Sequence, residues 1–312
     1  DIGAFEVNVS SSLFRGSDGD DAFLVQLDET RSNVLVSGPG ASFTAPLASA
    51  PRLSFDTLGG NDQVVVDFVN GNPLPAKGME FLGGLHGTST APQDRLLFRN
   101  AQAASGSYRP VSSTEAFLSV DGKQTAIVGV EQVDVSGFEF LTVVKSNAPI
   151  LYIWSRVEGG GVEVIEEGSD IDVLATNVET LIVDAATNEQ DEVPDSLNVR
   201  TSGNLPIGFI RYLAGTGNNG LLVGGRAGPA TGGSVRIDSI VESSGTLNTS
   251  VEDQVQLITS HFRQNSLTIN NQGRAVILPD GTDAATSVLT SLTINPGGTL
   301  DINDNALVLD YT

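Results

Sequence analysis

Aspartates that follow glycines are the residues of this chain best suited to chemistry. Residues 16–24 are GSDGDDAFL, which matches the calcium-binding nonapeptide G-G-x-G-x-D-x-U-x except at Ser17. Residues 58–64, LGGNDQV, keep the later part of that pattern. Glycine permits the tight turn, and aspartate offers a hard carboxylate oxygen to a hard cation. The predicted ligands of Ca²⁺ are Asp18, Asp20, Asp21 and Asp62.

A turn without metal is the alternative interpretation of both motifs. Calcium-binding nonapeptides occur in tandem because the metal bridges successive turns, whereas each copy here stands alone. A continuous row of calcium ions is therefore not expected, and isolated sites are the form that calcium binding would take. Gly-Asp and Gly-Asn also make ordinary turns between strands. A third, weaker copy at 215–221, GTGNNGL, has Asn219 where the aspartate belongs.

Two aromatic residues form the candidate carbohydrate-binding site. Tyr152 and Trp154 alternate in the segment ILYIWS at 150–155, so a strand would place both rings on one face. An outward face would suit a sugar ring or a protein partner, and an inward face would be core. Aromatic residues make up only 6% of the chain, so this pair stands out.

No catalytic residue is predicted. The two histidines, His86 and His261, have no metal-pair spacing, and the G-x-S-x-G elbow of serine hydrolases is absent. Polysaccharide cleavage would need two or three carboxylates on neighbouring coils. The candidates are Asp172, Asp184, Glu192 and Asp195, with Arg200 or Arg211 as a base or substrate clamp. Their spacing matches no motif, which favours a protein without enzyme activity.

Short runs of alternating apolar and polar residues must position these side chains. Examples are AFLVQL at 22–27, DQVVVDF at 62–68, SLNVR at 196–200 and SVRIDS at 234–239. The period of two is typical of strands with one buried face, and turn residues separate the runs. Sustained helical periodicity is missing. The sequence therefore predicts an all-β protein.

One pentapeptide, SLTIN, occurs at 266–270 and again at 291–295. Weaker Ser-apolar-x-apolar copies begin at Ser196 and Ser234, and repeats at such spacings are typical of solenoids. We therefore predict an elongated solenoid, a right-handed parallel β-helix in which the two SLTIN strands lie on adjacent coils. Separate β-sandwich domains are the alternative. A less regular half, 1–147, would carry the Gly-Asp turns, and 148–312 would form the regular β-helix, continuous with the first half or separate from it.

Composition limits the partners. The chain has 312 residues, a net charge of −22 and no cysteine. This charge repels nucleic acid and anionic membranes, and it attracts cations or basic partners. Without cysteine there is no disulfide and no thiolate metal site. No apolar run reaches the length of about 18–20 residues that a membrane helix needs.

Two segments resemble parts of a known family. Residues 61–84, NDQVVVDFVNGNPLPAKGMEFLGG, resemble a unit in which a Gly-Asn-Asp strand leads into Gly-Asn-Pro-x-Pro-x-x-Gly and a Gly-Gly turn. Residues 296–311, PGGTLDINDNALVLDY, are similar to the end of a β-helical region. Both features belong to large secreted autotransporter-like β-helical repeat proteins of planctomycete bacteria, with degenerate haemolysin-type Gly-Asp repeats. The resemblance implies an exported location, a solenoid-like fold and no enzyme activity.

These observations lead to one functional expectation and two alternatives. We expect a non-enzymatic structural or adhesive scaffold, secreted or at the bacterial cell surface, whose partners are an extracellular polysaccharide or other surface proteins. No nucleic acid and no membrane insertion are expected. The first alternative is a carbohydrate-active β-helix that binds or cleaves an extracellular polysaccharide. The second is self-assembly through exposed strand edges or solenoid ends.

Overall fold

The computed structural model describes residues 6–8, 12–39, 41–84, 94–102, 104–146, 150–155, 160–187, 195–225, 233–241 and 245–310. Its regular structure is almost entirely β-strand, and two single turns of 3-10 helix lie at Leu47–Ser49 and Asp283–Ala285. The predicted all-β class is confirmed.

The strands up to the middle of the chain are β1 Glu6–Asn8, β2 Leu13–Arg15, β3 Ala22–Leu27, β4 Asn33–Gly38, β5 Ala41–Pro46, β6 Leu53–Asp56, β7 Gln63–Asp67, β8 Met79–Leu82, β9 Arg95–Arg99, β10 Ser105–Pro110, β11 Glu115–Val120, β12 Lys123–Val128, β13 Gln132–Ser136 and β14 Phe140–Val144. Those that follow are β15 Ile150–Ser155, β16 Gly161–Glu166, β17 Asp172–Thr176, β18 Thr180–Asp184, β19 Ser196–Thr201, β20 Phe209–Ala214, β21 Gly217–Gly225, β22 Ser234–Val241, β23 Gly245–Val251, β24 Gln256–Thr259, β25 Arg263–Ile269, β26 Arg274–Ile277, β27 Ser287–Ile294, β28 Thr299–Asp301 and β29 Leu307–Leu309.

The chain forms two compact units. The first comprises Asp1–Leu141 and Gly168–Val178, and the second comprises Thr142–Glu167 and Glu179–Thr312.

Strands of the first unit alternate between two parallel ladders. One ladder is β3-β7-β9-β13-β17, and the other is β2-β6-β8-β12. Each pass of the chain adds one strand to each ladder, which is how a parallel β-solenoid is built. The register stacks Phe23, Val64, Leu96, Val133 and Val173, and all five side chains are buried. Stacked apolar residues of successive coils thus form the core.

Two antiparallel excursions leave this coil in the first unit. A hairpin adds β4 and β5 beside β3, and a meander of β10 and β11 ends in β12. The turn between β11 and β12 contains Asp121 and Gly122, whose φ angles are 50° and 78°. A two-residue hairpin turn with both φ angles positive matches the right-handed twist of its strands, and it favours glycine and aspartate.

The second unit repeats the same construction with longer ladders. One ladder is β15-β19-β21-β23-β25-β27-β29, and the other is β18-β20-β22-β24-β26-β28. All of these pairs are parallel. Among the described residues of this unit, the one antiparallel pair is that of β16 with β15. From β18 onward, each strand pairs with the strand two places later, whereas the hairpins of a β-sandwich would pair sequence neighbours.

The repeated pentapeptide occupies equivalent positions on neighbouring coils. Ser266 pairs with Ser291 and Leu267 pairs with Leu292, and the next two residues continue in register. The predicted placement of the two SLTIN segments is confirmed. The right-handed sense of the coil stays a prediction.

Candidate functional site

Carboxylates precede four consecutive strands of one ladder in the first unit. We call Asp21, Asp62, Asp94 and Glu131, which precede β3, β7, β9 and β13, the carboxylate ladder. The amide N–H of Asp21 donates to Asp62 Oδ1 at 2.8 Å, and that of Asp62 donates to Asp94 Oδ1 at 2.7 Å. The amide of Asp94 donates to Glu131 Oε2 at 2.9 Å. Asp62, Asp94 and Glu131 therefore each satisfy a backbone donor on the preceding coil.

The second carboxylate oxygens of Asp21 and Asp94 stabilise the turns themselves. Asp21 Oδ2 accepts from the amide of Ser17 at 2.6 Å and from its hydroxyl at 3.1 Å. Asp94 Oδ2 accepts from the amide of Gly84 at 3.2 Å. A β-carbon on Gly84 would lie 1.1 Å from the carbonyl oxygen of Leu58, so only glycine fits this close approach of two coils.

Burial changes the chemistry of Asp62. The side chain is only 1% exposed. Loss of solvation, together with the charges of Asp94 and Asp21, raises the pKa of Asp62 from 3.8 to about 6, against the lowering effect of hydrogen bonds from Thr57 and the Asp21 amide. The fold therefore holds this carboxyl near its titration point at mildly acidic pH.

The four predicted calcium ligands divide between two environments. Asp21 and Asp62 are buried in the carboxylate ladder, whereas Asp18 and Asp20 are exposed. Asp20 Oδ1 accepts from the amide of Asn61 on the next coil at 2.9 Å. The described part of the chain contains no group of three or more His, Cys, Asp or Glu side chains placed to hold a metal ion. Calcium binding and the metal-free turn both stay predictions from the motif.

The second unit has a shorter version of the same arrangement. Asp195 precedes β19 and Asn219 occupies the equivalent position on β21, and the amide of Asp195 donates to Asn219 Oδ1 at 3.2 Å. The side-chain amide of Asn219 donates to the carbonyl of Gly215 at 2.9 Å. An asparagine at this position thus performs the same capping role as an aspartate, without a charge.

A buried ion pair adjoins this second arrangement. Lys145 Nζ donates to Asp195 Oδ1, and the two side chains are 4% and 7% exposed. Glu166 is also buried, and its Oε1 accepts from the amide of Ser146 at 2.6 Å. Neither Lys145 nor Glu166 is predicted from the sequence, because 50 residues separate Lys145 from Asp195 and no local motif links them.

The predicted aromatic pair lies on the outward side of β15. Leu151 and Ile153 are buried, whereas Tyr152 and Trp154 alternate with them and are partly exposed. The two rings meet edge to face, with centroids 5.8 Å apart. Edge-to-face contact between aromatic rings is favourable, so it stabilises the relative orientation of the two side chains.

Polar side chains flank the rings in register. Glu163 on β16 lies opposite Trp154, and on β19 Asn198 lies beside Tyr152 and Arg200 beside Trp154. We call Tyr152, Trp154, Glu163, Asn198 and Arg200 the aromatic face. Hydrogen-bonding groups around apolar rings are the chemistry that binds a sugar or a polar protein surface.

The remaining candidates are dispersed. Asp172 belongs to the first unit, and Asp184 accepts from the amides of Ala186 and Thr187. Arg211 lies over the ring of Phe209 at 6.0 Å. Glu192 and His86 lie outside the described residues. His261 contacts Ser260 Oγ through Nδ1 at 3.1 Å, and burial followed by the charge of Arg263 lowers its pKa.

Comparisons with protein-family models, with curated proteins and with solved structures gave no match. Among the described residues, none of the helices has the length and apolar character needed to span a bilayer.

Proposed function

We propose that this chain is a non-enzymatic structural or adhesive scaffold of the bacterial cell surface or extracellular matrix. The observation that carries the proposal is the outward aromatic face on a stack of parallel coils. Each coil supports the next through main-chain pairing, so a ligand-binding side chain is held on a rigid strand. The resemblance to exported β-helical proteins supports the location.

An extracellular polysaccharide is the partner that this face suits. A sugar ring can pack its apolar side on Trp154 or Tyr152, and Asn198, Arg200 and Glu163 can bond its hydroxyl groups. The net charge of −22 disfavours polyanions. A neutral polysaccharide therefore fits better than one built from uronic acids.

The experiment is a binding titration of neutral and uronic-acid polysaccharides against the full chain and two variants. Trp154→Ala should weaken binding of the neutral polysaccharide about tenfold, or about 1.4 kcal/mol. The control is Phe209→Ala, which removes an aromatic ring from the other ladder of the same unit. Equal affinities in both variants and the native chain would exclude the aromatic face as the binding site.

Cleavage of the bound polysaccharide is the second candidate. Its support is the position of Glu163 directly opposite Trp154, where a carboxyl group could act on a ring stacked there. Product analysis of the same mixtures, with Glu163→Gln alongside, distinguishes the two functions. Shortened polysaccharide with the native protein but not with Glu163→Gln would show that the protein is an enzyme. Intact polysaccharide in both samples would support the scaffold.

A further inference from the structure

Three ionisable side chains are buried within the second unit. Lys145 is 3% exposed, Asp195 is 5% exposed and Glu166 is 8% exposed. Lys145 follows β14, Glu166 ends β16 and Asp195 precedes β19, so three separate segments supply them. Taking charges out of water is costly, and burial of such a group needs a specific reason.

Lys145 contacts Asp195 directly, and Ser146 links Lys145 to Glu166. Lys145 Nζ donates to Asp195 Oδ1 and to the carbonyl of Ser146 at 3.2 Å. The amide of that same Ser146 donates to Glu166 Oε1 at 2.6 Å. The charges of Lys145 and Asp195 both act on Glu166. The amine, the carboxylate and the second carboxyl therefore form one cluster.

Lys145 differs from the other two lysines of the chain, Lys77 and Lys123. Lys77 is exposed and Lys123 is partly exposed, as is usual for this residue. Lys145 alone among them has its amine buried against a carboxylate.

We propose that Lys145 and Asp195 become joined by an isopeptide bond, formed within the folded chain with Glu166 as the proton carrier. Proton transfer along the ion pair gives a neutral amine and a neutral acid. Nζ then attacks Cγ of Asp195, the new N–C bond forms and one C–O bond breaks. The departing oxygen takes up the two protons lost by the ammonium group, one along the ion pair and one relayed by Glu166, and leaves as one water molecule. No oxidant, metal or cofactor is consumed, and Glu166 ends in its starting state.

The surroundings favour this condensation over simple ion pairing. The fold holds amine and carboxyl together, which replaces a bimolecular encounter by an intramolecular one. Burial raises the pKa of Glu166, which favours the protonated acid that a proton carrier needs. A water-poor interior also slows the reverse hydrolysis.

A covalent bond here would act as a disulfide does in other proteins. It would close a loop between residues 50 positions apart in a chain that has no cysteine. Cross-links of this kind restrict the unfolded chain and raise stability. The bond would also persist in reducing surroundings, where a disulfide is lost.

The decisive measurement is the intact mass of the folded full chain. A mass one water below the sequence mass, with a branched tryptic peptide that joins Lys145 to Asp195, is the expected result. A folded chain at the full sequence mass would show an ion pair only and would overturn the proposal.

Variants separate the chemical role of Glu166 from a structural one. Glu166→Gln should keep the fold by circular dichroism, retain the full sequence mass and melt several degrees lower than the native chain. Lys77→Arg, the exposed control, should still lose one water. If the Glu166→Gln chain cross-links at the native rate, Glu166 is not the proton carrier of the reaction. If this variant does not fold, Lys145→Arg replaces it, and the mass of the native chain decides the proposal in either case.

Discussion

At the residue scale, the fold uses carboxylates mainly as acceptors for backbone amides. Asp21, Asp62 and Asp94 each bond an amide on a neighbouring coil or turn, which an isolated Gly-Asp motif does not reveal. The motif located the turns, but its chemistry depends on neighbours that are distant in sequence. Asn219 illustrates the same point, because an asparagine in the place of an aspartate accepts the equivalent backbone hydrogen bond without carrying a charge.

The first prediction concerns the pH dependence of stability at Asp62. The pKa of this carboxyl is 3.8 in the unfolded chain, where water solvates it, and burial raises it to about 6 in the folded chain. Its contribution to stability is therefore complete below pH 4 and is lost as the pH rises through 6. Asp62→Asn should remove this loss. Its advantage in unfolding free energy over the native chain should therefore be about 2 kcal/mol larger at pH 7 than at pH 4.

Urea unfolding of both chains at the two pH values checks this expectation. Asp18→Asn is the matched control, because it removes one exposed carboxylate from the other Gly-Asp turn, at 16–21. It should change stability by less than about 0.5 kcal/mol. An Asp62→Asn chain that is less stable than the native chain at pH 7 would mean that the ionised carboxylate is required.

At the element scale, period-two patterns indicated many of the strands but not whether their neighbours are parallel or antiparallel. AFLVQL at 22–27 is β3, and the two SLTIN segments pair in register. The antiparallel excursions could not be predicted, because a strand has the same alternation whether its neighbour is parallel or antiparallel. The aromatic face was predicted as a pair of rings, and its polar neighbours on β16 and β19 follow only from the register.

The second prediction compares one leucine in the two copies of SLTIN. Leu267 is fully buried, whereas its register partner Leu292 is partly exposed. Leu267→Ala should cost about 2–5 kcal/mol of unfolding free energy, because it leaves a cavity between coils. Leu292→Ala should cost about 1 kcal/mol, since part of that side chain already contacts water. Chemical denaturation of the two variants checks this difference, and equal losses would contradict the described burial of these coils.

At the scale of the whole molecule, charge is the dominant property. The chain carries 38 acidic and 16 basic side chains, and several of the basic ones are already paired, as Arg99 is with Asp67 and Arg274 with Asp301. A net charge of −22 opposes self-association, but it also destabilises the compact state through self-repulsion. Salt should therefore stabilise the fold. It should also reduce the electrostatic repulsion that opposes self-assembly through exposed strand edges.

The last prediction separates this general screening from a calcium site. The melting temperature should rise with NaCl, because the Debye length falls to about 10 Å at 0.1 M and the repulsion between acidic side chains weakens. At matched ionic strength, CaCl₂ and MgCl₂ should give the same shift, since Asp21 and Asp62 already accept amide hydrogen bonds. A larger shift with Ca²⁺ that is lost in Asp20→Asn and kept in Asp172→Asn would contradict this and establish a calcium site at the first Gly-Asp turn. A specific ligand at a hundredfold excess over its Kd adds about 2.7 kcal/mol, which is well above the difference that screening by two divalent cations can produce.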